Sequence, residues 1–121
     1  MTESQDEQGA TRLIDVRERP RFSERGPQVQ ILAESQSTRV LGLALRAGQE
    51  MREHQSASQL LVQVIGGNLV FSAAGQAYSL FPGMILQVDA HVPHHLHATT
   101  DTRVLLTMTP NPTSIHTGGQ T

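Results

Sequence analysis

The sequence predicts an all-β protein, a sandwich or barrel of short strands. Three observations carry this reading. Apolar residues recur with period two rather than 3.6, most clearly between residues 38 and 47. Turn signals built on Gly, Pro and Asn fall about every eight to twelve residues. No segment shows a helical period. Several strands are apolar on both faces, so each face needs a cover. The barrel interior supplies one, and a second sheet or a second copy of the chain supplies the other.

The elements follow in order. Residues 1–10 are polar and acidic without periodicity, a disordered tail. Residues 12–16 form a short apolar run that reads as a first strand. Residues 17–27 are charged and hold two prolines and Gly26, the composition of a loop. Val29, Ile31 and Ala33 begin the strands proper. In residues 38–47, Leu41, Leu43 and Leu45 share one face, and Val40, Gly42, Ala44 and Arg46 share the other. That second, small face suits the inside of a narrow barrel. Residues 58–65 form the next strand, closed by the turn Gly66-Gly67-Asn68. Residues 69–73 pair with 76–81 across Ala74-Gly75. Pro82-Gly83 turns the chain into strands at 84–88, 95–98 and 103–109, and Pro110 and Pro112 end the last of them. The barrel therefore occupies residues 11–109, and residues 110–121, with His116, form a loose Thr/Gly-rich tail.

Composition excludes several classes of function. The 121 residues suit one domain, and with aromatics at 3% and no Trp the core must rest on Leu, Val, Ile and Ala. There is no Cys, hence no disulfide, thiolate nucleophile or zinc–thiolate site. All basic residues are Arg, so lysine Schiff-base chemistry is absent. A formal charge of −2 gives no electrostatic reason to expect nucleic acid. No apolar run is long enough to span a membrane, and the polar N-terminus is not a signal peptide, so a cytoplasmic protein is expected. No Gly-rich phosphate loop and no acidic pair of useful spacing is present.

Chemistry concentrates in residues 83–97, where His91, His94, His95 and His97 account for four of the six histidines. Gly83-x5-Asp89-x-His91-x2-His94-x3-Ala98 resembles the second motif of small single-domain cupins, G-x5-P-x-G-x2-H-x3-N. His94 stands at the metal-binding histidine, and His91 replaces the second glycine. A degraded first motif, G-x5-H-x-H-x3–4-E-x6-G, is found upstream in two placements. Gly48 and His54 keep the glycine-to-histidine spacing, with Ser56 in place of the second histidine. Alternatively, Arg52-x-His54-x4-Gln59-x6-Gly66 keeps both downstream spacings, with Arg52 replacing a histidine and Gln59 the glutamate. The second placement is preferred.

The resemblance implies an all-β double-stranded β-helix, a jelly-roll barrel, in which His54, Gln59 and His94 point inward from neighbouring strands. Such a set would hold a divalent transition metal (Zn, Ni, Fe or Cu), without an anionic ligand. The resemblance and the doubly apolar strands together imply a homodimer. The parity of Arg52 matches that of His54, which aims a fixed positive charge into the same cavity. That charge would repel a cation and attract a carboxylate or phosphate. Gln63 shares the parity of Gln59 and would line the cavity too. His95 and His97 have the opposite parity to His94 and face outward. His91 is either a mouth residue or a turn residue. Met51, Met84 and Met108 are read as core gap-fillers.

Three functions are therefore expected. One is a small-molecule-binding cupin with Arg52, His54, Gln59, Gln63 and His94 as polar contacts. The second is a metal-dependent enzyme of dioxygenase or isomerase type, acting on a small polar substrate. The third is a structural or regulatory dimer without a working cavity.

Overall fold

The computed structural model describes residues 11–115. The two tail segments expected at 1–10 and 116–121, the latter with His116, lie outside the described residues. Among the described residues nine strands follow one another: β1 Gln28–Glu34, β2 Arg39–Leu45, β3 Glu50–His54, β4 Gln59–Gly66, β5 Leu69–Ala73, β6 Gln76–Leu80, β7 Ile85–Val88, β8 His94–Ala98 and β9 Thr102–Thr109. Among the described residues one helical turn, α1, spans Pro112–Ile115. The strands form a five-stranded sheet in the order β1-β2-β9-β4-β7 and a four-stranded sheet in the order β3-β8-β5-β6. All neighbouring pairs are antiparallel. The chain thus builds the expected jelly-roll barrel. Among the described residues, no helix is long and apolar enough to cross a membrane.

Strand periodicity builds the core. Alternate residues Leu43 and Leu45 of β2, Leu60, Val62 and Val64 of β4, and Val104 and Leu106 of β9 face across to Leu69, Phe71, Leu96 and Ala98 of the smaller sheet. Phe71 is fully buried at its centre. The turns match their residues. Ala74 and Gly75 both take positive φ, the conformation of a two-residue hairpin that pairs Ala73 with Gln76. Gly83 has φ of 101° behind Pro82, and Met84 N–H donates to the Phe81 carbonyl, the Pro-Gly arrangement of a type II turn.

The structure corrects the sequence reading in three places. The leucine face of β2 points into the barrel, and the small face of Gly42 and Ala44 points out. A Cβ on Gly42 would fall 2.7 Å from Leu32 Cδ1 and 3.2 Å from the Arg19 carbonyl oxygen. The smallness of that face therefore admits the chain that crosses it, not a narrow interior. Second, residues 12–16 form no strand. The following segment is tied instead to the outside of the larger sheet. Arg103 Nε donates to the Pro20 carbonyl, and the Arg103 guanidinium lies 4.2 Å from the Phe22 ring centroid. Third, the tail expected to be loose from residue 110 is held at its start. Asn111 is buried, its side-chain amide donates to Glu34 and to the Ser35 carbonyl, and its N–H donates to the Ser37 carbonyl.

The close approach at Gly42 sets an expectation for stability. Gly42→Val should overpack the contact with Leu32 and cost roughly 1–3 kcal/mol in denaturant unfolding. Gly66→Ala, whose Cβ would meet nothing within 4 Å, should change stability by less than about 0.5 kcal/mol.

Candidate functional site

The site is built by β3 and β8. His94 opens β8 and pairs with His54 at the end of β3. Met51 pairs with Leu96. Three residue steps along β3, from 51 to 54, therefore span two along β8, from 96 to 94, which is a β-bulge. The bulge takes up one residue of parity. Met51 packs against the core, and His54 reaches the same interior side three positions later.

His94 is 2% exposed. Its ring stacks on Phe71 with centroids 5.3 Å apart, and it meets His54 edge-on with centroids 4.3 Å apart. Both rings are fixed from behind by backbone carbonyls, which can only accept. His94 Nδ1–H donates to the Val92 carbonyl at 2.9 Å, and His54 Nδ1–H to the Arg52 carbonyl at 2.9 Å. The two Nε2 atoms are left facing each other at 3.2 Å.

Beside them lies a cavity of about 330 Å³. Apart from the two imidazoles its walls are largely apolar. Val29 and Leu41 with Leu43 come from β1 and β2, Leu60 from β4, Leu106 and Met108 from β9, and Met51 from β3. Residues 55–57, between β3 and β4, and Pro112 of α1 complete the wall, with Gln55 and Ser56 its remaining polar side chains.

The residues expected from the sequence separate into two groups. His54 and His94 come together. Arg52 does not join them, because the bulge turns it out: it is exposed, is absent from the cavity wall, and contributes only its carbonyl. Gln59 and Gln63 lie on the opposite face of β4 from Leu60, Val62 and Val64, hence outside the barrel. Gln59 accepts a bond from Gln87 Nε2 on that outer face at 3.3 Å. Parity holds on β8, where His95 is exposed on the face opposite His94. His91 has φ of 69° and donates its N–H to the Ser56 carbonyl at 2.7 Å. It occupies a left-handed turn position at the place of the motif's second glycine, where glycine would be unstrained. Met51 and Met108, read as gap-fillers, line the cavity. The apolar wall was foreshadowed by the alternation of Leu41 and Leu43, but the space before it left no mark in the sequence.

These residues do not make a transition-metal set of the expected kind. His54 and His94 supply two nitrogens, and the third expected donor, Gln59, faces away. Among the described residues no group of three or more His, Asp or Glu side chains is placed to hold an ion. Three protein ligands are usual even where one position stays open to substrate.

Burial holds the pKa of His94 below its usual 6.5, opposed by its bond to the Val92 carbonyl and reinforced by the neighbouring His54. The sign follows. The unfolded chain protonates this residue more readily than the folded one, so stability present above about pH 6.5 is lost as the pH falls through the lower, folded value. Thermal melts between about pH 7.5 and 5 should show a falling melting temperature. His94→Asn should show a shallower slope over the same range, and equal slopes would contradict this assignment.

A family model described as the AraC-like ligand binding domain matches residues 39–118. No curated protein sequence matches the chain. Among solved structures, an RmlC-like cupin protein from Desulfovibrio desulfuricans is 24% identical with a TM-score of 0.76, covering 83% of this chain and 97% of its own. An RmlC-like cupin family protein with a double-stranded β-helix fold from Methanocaldococcus jannaschii is 16% identical with a TM-score of 0.72, covering 88% and 96%. An uncharacterised conserved protein with a double-stranded β-helix domain from Klebsiella pneumoniae is 21% identical with a TM-score of 0.75, covering 83% and 90%. At these identities the likeness is one of fold. The match across residues 39–118, containing β2 to β9 and both histidines of the site, makes the chain a member of the AraC-like ligand binding domain family, built on the cupin barrel.

Proposed function

We propose that the barrel is a small-molecule-binding module whose ligand has an apolar body and a compact polar head. The observation that carries this reading is the cavity itself. Its volume of about 330 Å³ lies within the range of small-ligand pockets, and its polar groups are few and gathered around His54 and His94. The apolar body would lie against Leu41, Leu60, Leu106 and Met108, and the head would meet the imidazoles. A sugar-like ligand, with hydroxyls on every side, would leave most of them unpaired against this wall.

The metal-dependent enzyme reading has less support, because the donor set stops at two imidazoles. The reading as a dimer without a working cavity leaves the space beside a fixed imidazole pair without a purpose.

The test is a thermal-shift screen of compounds with an apolar body and one polar group, followed by calorimetry on those that stabilise. A ligand present at about a hundred times its Kd should add about 2.7 kcal/mol of stability. Met108→Trp, which fills the cavity, should abolish the response, whereas Gln63→Ala on the outer face should keep it. An equal loss in both variants, or none in either, would move binding elsewhere. Exhaustive treatment with a chelator should leave both melting temperature and ligand response unchanged. A loss restored by one equivalent of a transition metal would favour the enzyme reading.

A further inference from the structure

A cation with no carboxylate of its own lies on the outer side of the larger sheet. Arg103 of β9 alternates with Val104, which faces the core, so its side chain stands on the outer surface. There it borders an open cleft of about 350 Å³, together with Arg17, Phe22 and the Gly66-Gly67 turn at the end of β4. No residue of this cleft lines the cavity at His54 and His94. The guanidinium is held in place twice. Its Nε–H donates to the Pro20 carbonyl at 3.1 Å, and its carbon lies 4.2 Å from the Phe22 ring centroid. These contacts use one N–H and the flat face of the group. The N–H donors of its two terminal nitrogens are left without a protein acceptor among the described residues.

The neighbouring charges do not supply that acceptor. Asp15 is taken by Arg17, at 2.9 Å from Nε and 2.7 Å from Nη2. Asp101 accepts from Arg46 and from Ala47 N–H, both at 2.9 Å, and Glu24 pairs with Arg46 at 3.1 Å. Among the described residues no carboxylate pairs with Arg103. We infer that Arg103 anchors a second binding site, for a phosphate group carried free or on a small ester. A guanidinium held in a fixed plane presents paired N–H donors that match two oxygens of one phosphate. The wall beside it is bare backbone. Gly66 stands directly opposite Arg103 in the β4–β9 ladder, and a Cβ there would meet nothing within 4 Å. An anion can therefore reach the donors without meeting a side chain at that position. Arg17 borders the same cleft with its Nη1 unbonded, and two guanidiniums at one cleft favour the doubly charged phosphate over a carboxylate. A purely structural role for Arg103, tying residues 20–22 to the sheet, accounts for Nε and the flat face but not for the open donors.

The test is an NMR titration of the full chain with inorganic phosphate and with glycerol 3-phosphate, at constant ionic strength set by sodium chloride. The Arg103 Nε–H signal and the Gly66 and Gly67 amide signals should shift and saturate, and chloride alone should not saturate them. Gly66→Glu sets a carboxylate directly across from Arg103. It should weaken both probes at least about tenfold, the scale of a charge-assisted hydrogen bond. Gly66→Gln, of the same size and neutral, should keep the binding. Arg103→Gln should lose it, and Gly66→Glu, which leaves the Pro20 and Phe22 contacts in place, separates that loss from a loosened fold. Equal affinity for the two probes would assign the free ion and a tighter ester would assign an ester, and either supports the site. Shifts that rise without saturating, saturation as strong in Gly66→Glu as in the parent chain, or an equal loss in Gly66→Gln would overturn it.

Discussion

The bulge in β3 is the constraint on which the site depends. An uninterrupted strand would place Met51 and His54 on opposite faces, since side chains alternate. The extra residue between them lets Met51 pack on the core beside Leu96 and still brings His54 opposite His94. The same residue turns Arg52 outward and leaves its carbonyl aimed at His54 Nδ1. One local irregularity thus removes a guanidinium from the cavity, supplies the acceptor that fixes a ring, and sets the distance between two imidazoles. Bulges re-aim side chains at sites of this kind, and here the re-aiming decides which polar groups face the cavity.

The cavity in turn depends on the unequal width of the two sheets. The larger sheet has β1 at one edge, beyond β2, and the smaller sheet ends at β3. Below, the facing residues close around Phe71. Toward β1 the facing layer runs out, and Val29 and Ile31 are left about half exposed. Space opens between Leu41 on one side and Met51 on the other, and α1 borders it through Pro112. The binding of Asn111 to Glu34 and Ser35 holds that last segment in place, so a residue near the end of the described chain helps to shape the mouth.

Much of this was legible in the sequence, and the misses share a cause. The leucine alternation of β2, the turns at Ala74-Gly75 and Pro82-Gly83, and the parity of His94 against His95 depend on residues close in the chain, and each emerged as expected. His54 and His94 were named from motif spacing and do meet. Arg52 was misplaced because parity counting assumes an uninterrupted strand, and a bulge is a property of two paired strands rather than of one. Gln59 and Gln63 were placed inward by motif spacing, against the stronger local signal of Leu60, Val62 and Val64, which claim the interior face of the same strand. The small face of Gly42 and Ala44 was read as the inside of a narrow barrel, and it lies outside, against Leu32 and the chain at Arg19. What approaches it, the chain around Arg19 and Pro20, is a long-range contact that periodicity cannot show.

The sequence reading set a guanidinium at this cavity, and the structure takes it out of the cavity wall. A guanidinium would have been permanent, and it would have repelled a metal at any pH. In its place two imidazoles turn their Nε2 atoms toward each other across 3.2 Å, with each Nδ1 held by a backbone carbonyl. Phe71 stacks on the face of His94, and that ring is buried. With Arg52 turned outward and contributing only its carbonyl, the polar end of the cavity is a pair of imidazoles set against a largely apolar wall, held in place by the backbone rather than by a charged side chain.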